Sequence, residues 1–144
     1  MTLDESRMWS LHPQLAADTV PVGDLPLSRL LVSRDATYPW LLLVPRKPDV
    51  TEIIHLAEPQ RTQLMSEIAL ACDALKQLTG CDKLNVAALG NIVPQLHVHI
   101  IARRKGDPAW PAPVWGHGMT SAYEADALSR FLGMLRGKLP LQGI

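Results

Sequence analysis

The stretch Pro94-Gln95-Leu96-His97-Val98-His99-Ile100-Ile101 alternates apolar side chains with hydrogen-bonding ones. In an extended strand, successive side chains point to opposite faces. Leu96, Val98 and Ile100 then share one face, suited to a core, and Gln95, His97 and His99 share the other. Neighbours two apart on a face lie roughly 6.5–7 Å apart along the strand, close enough to act together on one small target. The chain has 144 residues and five histidines, so a pair at this spacing asks for a reason.

Three readings compete. The blandest is a polar outer face that happens to carry two imidazoles. A second is a metal site: His-x-His on a strand is a common ligand pair, but zinc takes three or four ligands. The remaining histidines, His12, His55 and His117, are too scattered in sequence to nominate the next ligand, so no metal and no cofactor is expected. The third is nucleophilic catalysis at phosphorus. An unperturbed imidazole titrates at about pH 6.5, which makes it a competent nucleophile and base near neutrality. A second imidazole beside it can deliver a proton to a leaving group.

Outward from this stretch, the pattern switches period several times. The segment from Leu11 to Lys47 reads as three short strands, with turns at Val22-Gly23-Asp24 and at Asp35–Pro39. Its runs SRLLVS and WLLLVP are too short for helices and suit buried antiparallel strands. Leu64, Ile68, Ala71 or Cys72, Leu75 and Leu78 recur at three- and four-residue steps. They predict a helix over Pro59–Gly80, opened by a proline and closed by a glycine. KLNVAAL is a strand, Gly90-Asn91 a turn, and QLHVHIIAR the last strong strand. A second helix is expected over Ser121–Lys138, with Leu128, Phe131, Leu132 and Leu135 on one side. Between them lies a Pro- and Gly-rich loop holding Trp110 and Trp115, which either closes over the site or packs in a core or an interface. The order strands, helix, strands, helix predicts an α+β domain with an antiparallel sheet.

Formal net charge is zero, which argues against a general electrostatic footprint for nucleic acid. No apolar run approaches the roughly 20 residues that span a bilayer. The opening MTLDESRMWSLHPQ has neither the basic nor the apolar region of a signal peptide. Cys72 and Cys81 form no CxxC spacing, so a reducing cytoplasm is the expected location.

At its histidine pair the chain resembles the histidine-triad (HIT) superfamily of nucleotide hydrolases and nucleotidyl transferases. That family's signature is His-φ-His-φ-His-φ-φ, with φ apolar, and here it reads Gln95-Leu96-His97-Val98-His99-Ile100-Ile101. The likeness covers most of Leu25 to Arg103, through the strand ending in Val44-Pro45-Arg46, the long helix and LNVAALGN in the family's order. The resemblance implies a HIT-like fold with a five-stranded antiparallel sheet. It implies a single domain over 1–144, with a core of about 10–105 and the Trp/Pro loop and helix over 106–144. It also implies a homodimer and, as substrate, a purine nucleotide or a dinucleoside polyphosphate-like molecule. Carried over residue by residue, His97 is the nucleophile and His99 contacts phosphate or leaving-group oxygens. Ser33 and Asp35 stand where the family holds ribose hydroxyls, and Gly90 and Asn91 where it holds phosphate.

Gln95 departs from the pattern, because the family has histidine there. Glutamine cannot titrate, but it donates and accepts hydrogen bonds, and its main-chain carbonyl is available to hold the nucleophile's second ring nitrogen. The glycine-rich loop is also short, with Ile92 where the family has a small hydroxyl residue. The leading expectation, as the resemblance implies it, is a nucleotide hydrolase or nucleotidyl-transfer enzyme that acts on phosphoanhydride or phosphoramidate bonds through a covalent nucleotidyl-histidine. The alternative is a nucleotide-binding protein of the same fold with little turnover.

Overall fold

The computed structural model describes residues 8–118 and 120–144. A short helix α1 (Pro13–Asp18) leads into β1 (Thr19–Asp24), β2 (Ser28–Ser33) and β3 (Trp40–Pro45). A single 3₁₀ turn (Ile53–His55) precedes the long helix α2 (Glu58–Thr79), and then come β4 (Lys83–Ala87), β5 (Val98–Arg103) and α3 (Ala127–Lys138). The strands form one sheet in the order β1-β2-β3-β5-β4. Every pairing in it is antiparallel, as the α+β reading expects.

Both faces of this sheet are covered, which is why its strands read as apolar runs rather than as clean alternation. On one face Leu30, Val32, Leu41, Leu43, Val98 and Ile100 pack with Leu64 and Leu75 of α2 and Phe131 and Leu135 of α3. On the other, Leu31, Leu42 and Val44 pack under Leu15 of α1 and under Trp9 and Leu11. Further along that second face, Ile101 packs with Tyr38, Ala109 and Val114. The face turned away from α2 and α3 is thus roofed from two sides: by α1 with the N-terminal segment and by the Pro/Trp loop.

α2 ends as expected, at Gly80 in the left-handed conformation, φ 62°. Its apolar stripe contains one carboxylate. Glu67 is 2% exposed, and its oxygens accept from the backbone N–H groups of Leu27 and Ser28, both at 2.8 Å. Gln63 Nε2 adds a third bond at 2.8 Å. A buried carboxylate is tolerable because charge-assisted bonds replace its hydration, and these bonds tie α2 to the β1–β2 turn.

Four local expectations are corrected. Residues 13–18 are helical rather than part of a strand, because His12 Nδ1 accepts from Gln14 N at 3.0 Å and Pro13 opens the first turn. Gly23 is not in a turn but inside β1, where the register to β2 shifts. It is glycine because a Cβ there would meet Leu141 Cβ at 2.8 Å. α3 starts at Ala127, not Ser121, because Ser121 is committed elsewhere: its N–H donates to Asp35 Oδ1 at 3.1 Å and its carbonyl accepts from Ala36 N at 2.8 Å. Finally, β5 begins at Val98, so Gln95–His97 form a bend leading into it.

Candidate functional site

His99 enters the face turned away from α2 and α3 through its register. Its partners are Leu42 on β3 and Ala87 on β4, so it is flanked by strands on both sides. Trp40 lies two residues from Leu42 on the same face and donates its Nε1–H to His99 Nδ1 at 3.0 Å. An Nδ1 that accepts fixes the neutral tautomer, with the proton on Nε2. The rings of Trp40, Trp115 and His97 stand edge-on to His99 at centroid distances of 5.6, 5.0 and 4.9 Å. Burial in this aromatic box, with the His97 imidazole adding to it, pushes the His99 pKa down to about 4.

That shift has a consequence for stability. Between about pH 6.5 and pH 4 the unfolded chain binds a proton at this imidazole that the native chain does not. Stability should therefore fall on acidification through that window, by up to about 3 kcal/mol. His99→Gln keeps an acceptor for the Trp40 indole and cannot titrate. Urea midpoints at pH 7 and pH 4.5 should converge more closely in that variant than in the wild-type chain. Equal pH slopes in the two proteins would refute the assignment.

His97 sits at the end of the bend. Its Nδ1 lies 2.6 Å from the Gln95 carbonyl oxygen. A carbonyl only accepts, so Nδ1 carries the proton and Nε2 presents its lone pair. His97, His99, Ser33, Asp35, Gly90 and Asn91 all border one cleft of about 950 Å³. Gly90 holds φ 74°, which favours glycine at that bend. Asp35 also stabilises its own turn: Oδ1 accepts from Thr37 N at 3.0 Å and Thr37 Oγ1 at 2.7 Å. Ser33 Oγ accepts from Asp35 N at 3.2 Å.

Gln95 alone among the sequence-derived site residues is not on the cleft wall. The bend breaks the strict alternation, and its side chain runs to the N-terminal segment instead: Oε1 accepts from His12 N at 2.8 Å and Nε2 donates to Ser10 O at 2.9 Å. Sequence reasoning missed Trp40 as a partner of His99, Arg34 on the cleft rim and the whole contribution of α1, whose Gln14, Leu15 and Asp18 line the cleft. The cleft is also bordered by Leu42, Leu89, Ile92 and Val93, so it has apolar wall as well as polar groups. Among the described residues no three His, Cys, Asp or Glu side chains converge as a metal site would require.

The loop that carries Trp115 starts beside a buried ion pair. Arg103, 1% exposed, donates to both oxygens of Asp107, Nε at 2.7 Å and the second terminal nitrogen at 2.8 Å, and to Asn85 Oδ1 at 2.9 Å. Its guanidinium lies 5.4 Å from the Tyr38 ring centre and 5.6 Å from that of Trp110. The Arg103 hydrogen bonds hold the Asp107 carboxyl below its usual range.

A fold of this kind, with paired imidazoles on the last strand and on the bend that leads into it, defines the histidine-triad class. The sequence matches the HIT domain family over residues 14–106. A histidine triad protein from Bradyrhizobium japonicum is 61% identical, with 92% of this chain and 98% of that one covered and a TM-score of 0.90. One from Marinobacter aquaeolei VT8 is 43% identical over 92% and 97%, TM-score 0.89. A third, from Sinorhizobium meliloti 1021, is 40% identical over 91% and 97%, TM-score 0.88. No curated protein matches. The chain belongs to the HIT family, whose superfamily includes nucleotide hydrolases and transferases. Among the described residues no helix is long and apolar enough to cross a membrane.

Proposed function

We propose that the protein hydrolyses nucleotide derivatives through a covalent nucleotidyl-His97 intermediate. The observation that carries this reading is the 2.6 Å contact from His97 Nδ1 to the Gln95 carbonyl, which leaves Nε2 as a free lone pair at the cleft. Nε2 attacks the α-phosphorus, an Nε2–P bond forms and the bond from phosphorus to the leaving group breaks. Water then attacks the same phosphorus, the Nε2–P bond breaks, and a nucleoside monophosphate leaves. The Ser33 hydroxyl and the Asp35 carboxylate receive the ribose. The backbone of Gly90, the Asn91 amide and the Arg34 guanidinium receive phosphate oxygens, and the apolar wall takes a purine base.

His99 ranks the substrates. With Nδ1 occupied by Trp40 and the ring neutral down to about pH 4, it offers the Nε2–H as a hydrogen-bond donor and has no labile proton to give at neutrality. Gln95 supplies none either. A phosphate leaving group, with a second pKa of about 6, departs without a proton, whereas an amine leaving group needs one. Phosphoanhydrides should accordingly turn over faster than phosphoramidates. Turnover of a dinucleoside polyphosphate and of a nucleoside phosphoramidate, with an acid quench and intact-mass measurement, tests both points. The expected results are nucleoside monophosphate release, a protein species heavier by one nucleotidyl unit, and the anhydride ahead. Product release with no such adduct under single-turnover conditions would refute the covalent route, and tight nucleotide binding with no turnover would favour a binding protein.

The same reading includes a cytoplasmic location, in keeping with two unpaired cysteines, and a homodimer. Among the described residues no strand pairs with the outer edge of β4, and Val86 on it is 47% exposed. An open edge with an apolar side chain invites a second copy. Light scattering at micromolar concentration should report twice the chain mass; a monomer would contradict this.

A further inference from the structure

The Gln95 amide spans more than 80 residues of sequence to reach the N-terminal segment. It accepts from one backbone group and donates to another two residues away, His12 N–H and Ser10 C=O, as a strand neighbour's peptide unit would. That segment runs straight into α1, whose Leu15 packs on Leu42 beneath the cleft. The same residue's main-chain oxygen holds the His97 ring. We propose that Gln95 is a positioning residue that latches α1 onto the site as a wall of the nucleotide cleft, so that the glutamine at the first triad position sets ligand affinity and leaves the chemistry to His97.

The chemistry of the side chain supports this assignment. A primary amide presents a donor and an acceptor side by side, matched to a backbone N–H and C=O on neighbouring residues. The two nitrogens of an imidazole diverge and cannot satisfy both groups together. Orientation of His97 depends on the Gln95 carbonyl, which every substitution retains. Loss of the latch therefore acts on the wall and not on the nucleophile. The effect on affinity rests on the nucleotide reading given above; the latch itself does not.

The test uses the full chain with Gln95→Met, which keeps length and apolar bulk, and Gln95→Glu, which still accepts from His12 N but sets an oxygen against the Ser10 carbonyl. Hydrogen exchange at the amides of residues 10–18 reads the latch without any ligand. It should accelerate in both variants, by about ten-fold or more, as expected for the loss of two neutral hydrogen bonds. Calorimetry with adenosine 5′-monophosphate, and steady-state kinetics, should show Kd and KM raised about five- to thirty-fold with kcat within two-fold. Leu15→Ala, which thins the same wall, should be non-additive with Gln95→Met on KM. Unchanged exchange at residues 10–18 in Gln95→Met overturns the latch. So does a fall in kcat at constant KM, which would place Gln95 in the chemistry. A wild-type chain that binds no nucleotide, while the variants still accelerate exchange, overturns the nucleotide reading and leaves the latch standing.

Discussion

His97→Asn is expected to abolish hydrolysis, with kcat reduced by at least about 10⁴-fold, the scale seen when a covalent nucleophile is removed. Asparagine keeps a hydrogen-bond donor near the Gln95 carbonyl but has no basic nitrogen to attack phosphorus. The neighbours in the motif do not replace it: His99 commits Nδ1 to Trp40, and Gln95 turns away to Ser10 and His12. Binding of the product nucleotide should persist within a few-fold, because Ser33, Asp35, Gly90 and Asn91 border the cleft independently of the imidazole. The nucleotidyl adduct should vanish from the intact-mass spectrum. Turnover at a tenth of the wild-type rate or more would mean that water attacks phosphorus directly, and His97 would then be at most a base.

The alternation around His97 and His99 was legible because it is written in one short segment. Leu96, Val98 and Ile100 do enter the helix-packed core, and both imidazoles lie on the other side. The long helix was legible for a similar reason: the stripe from Leu64 to Leu78 is local, and Gly80 ends it. What the chain does not display locally is what covers each face. Glu67 sits on the apolar stripe, and nothing near it in sequence announces the backbone amides of Leu27 and Ser28 that satisfy it. Gly23 reads as a turn glycine, yet its reason is Leu141, which approaches from the far end of the chain.

The same limit separates the two parts of the site. Ser33, Asp35, Gly90 and Asn91 could be nominated from the family pattern, and they border one cleft. Trp40 could not, because its role depends on the β3–β5 register that brings it to His99. The N-terminal wall could not, because a six-residue helix opened by a proline leaves almost no periodic signal. Gln95 is the sharpest case. Strand alternation puts it beside the histidines, but the bend that turns its carbonyl to His97 also swings its amide out of the row. A substitution that reads as the loss of a proton carrier is, in three dimensions, a hydrogen-bonding bridge between distant segments.

Arg103→Met should be the most damaging change away from the cleft. It takes the guanidinium from the Asp107 carboxylate and the donor from Asn85 Oδ1, in a place where Arg103 is 1% exposed. Removing one partner of a buried pair costs about 3–5 kcal/mol, because the surviving charge stays desolvated. For a chain of this length that lowers Tm by roughly 10–15 °C. Arg103→Lys should rescue little of the loss, since one ammonium cannot reproduce the fork that binds Asp107 at two oxygens and Asn85 at a third. The effect should also reach the site. Asp107 accepts from the backbone N–H groups of Arg104 and Trp110, so it shapes the loop that brings Trp115 against His99. At a temperature where the variant remains folded, KM should still rise, and the His99 box should admit water and titrate at a higher pH than in the wild-type chain. Thermal melts and the pH profile of kcat/KM measure the two effects. A Tm within about 3 °C of wild type would show that the pair contributes no more than a surface ion pair does, and the loop would then need another anchor.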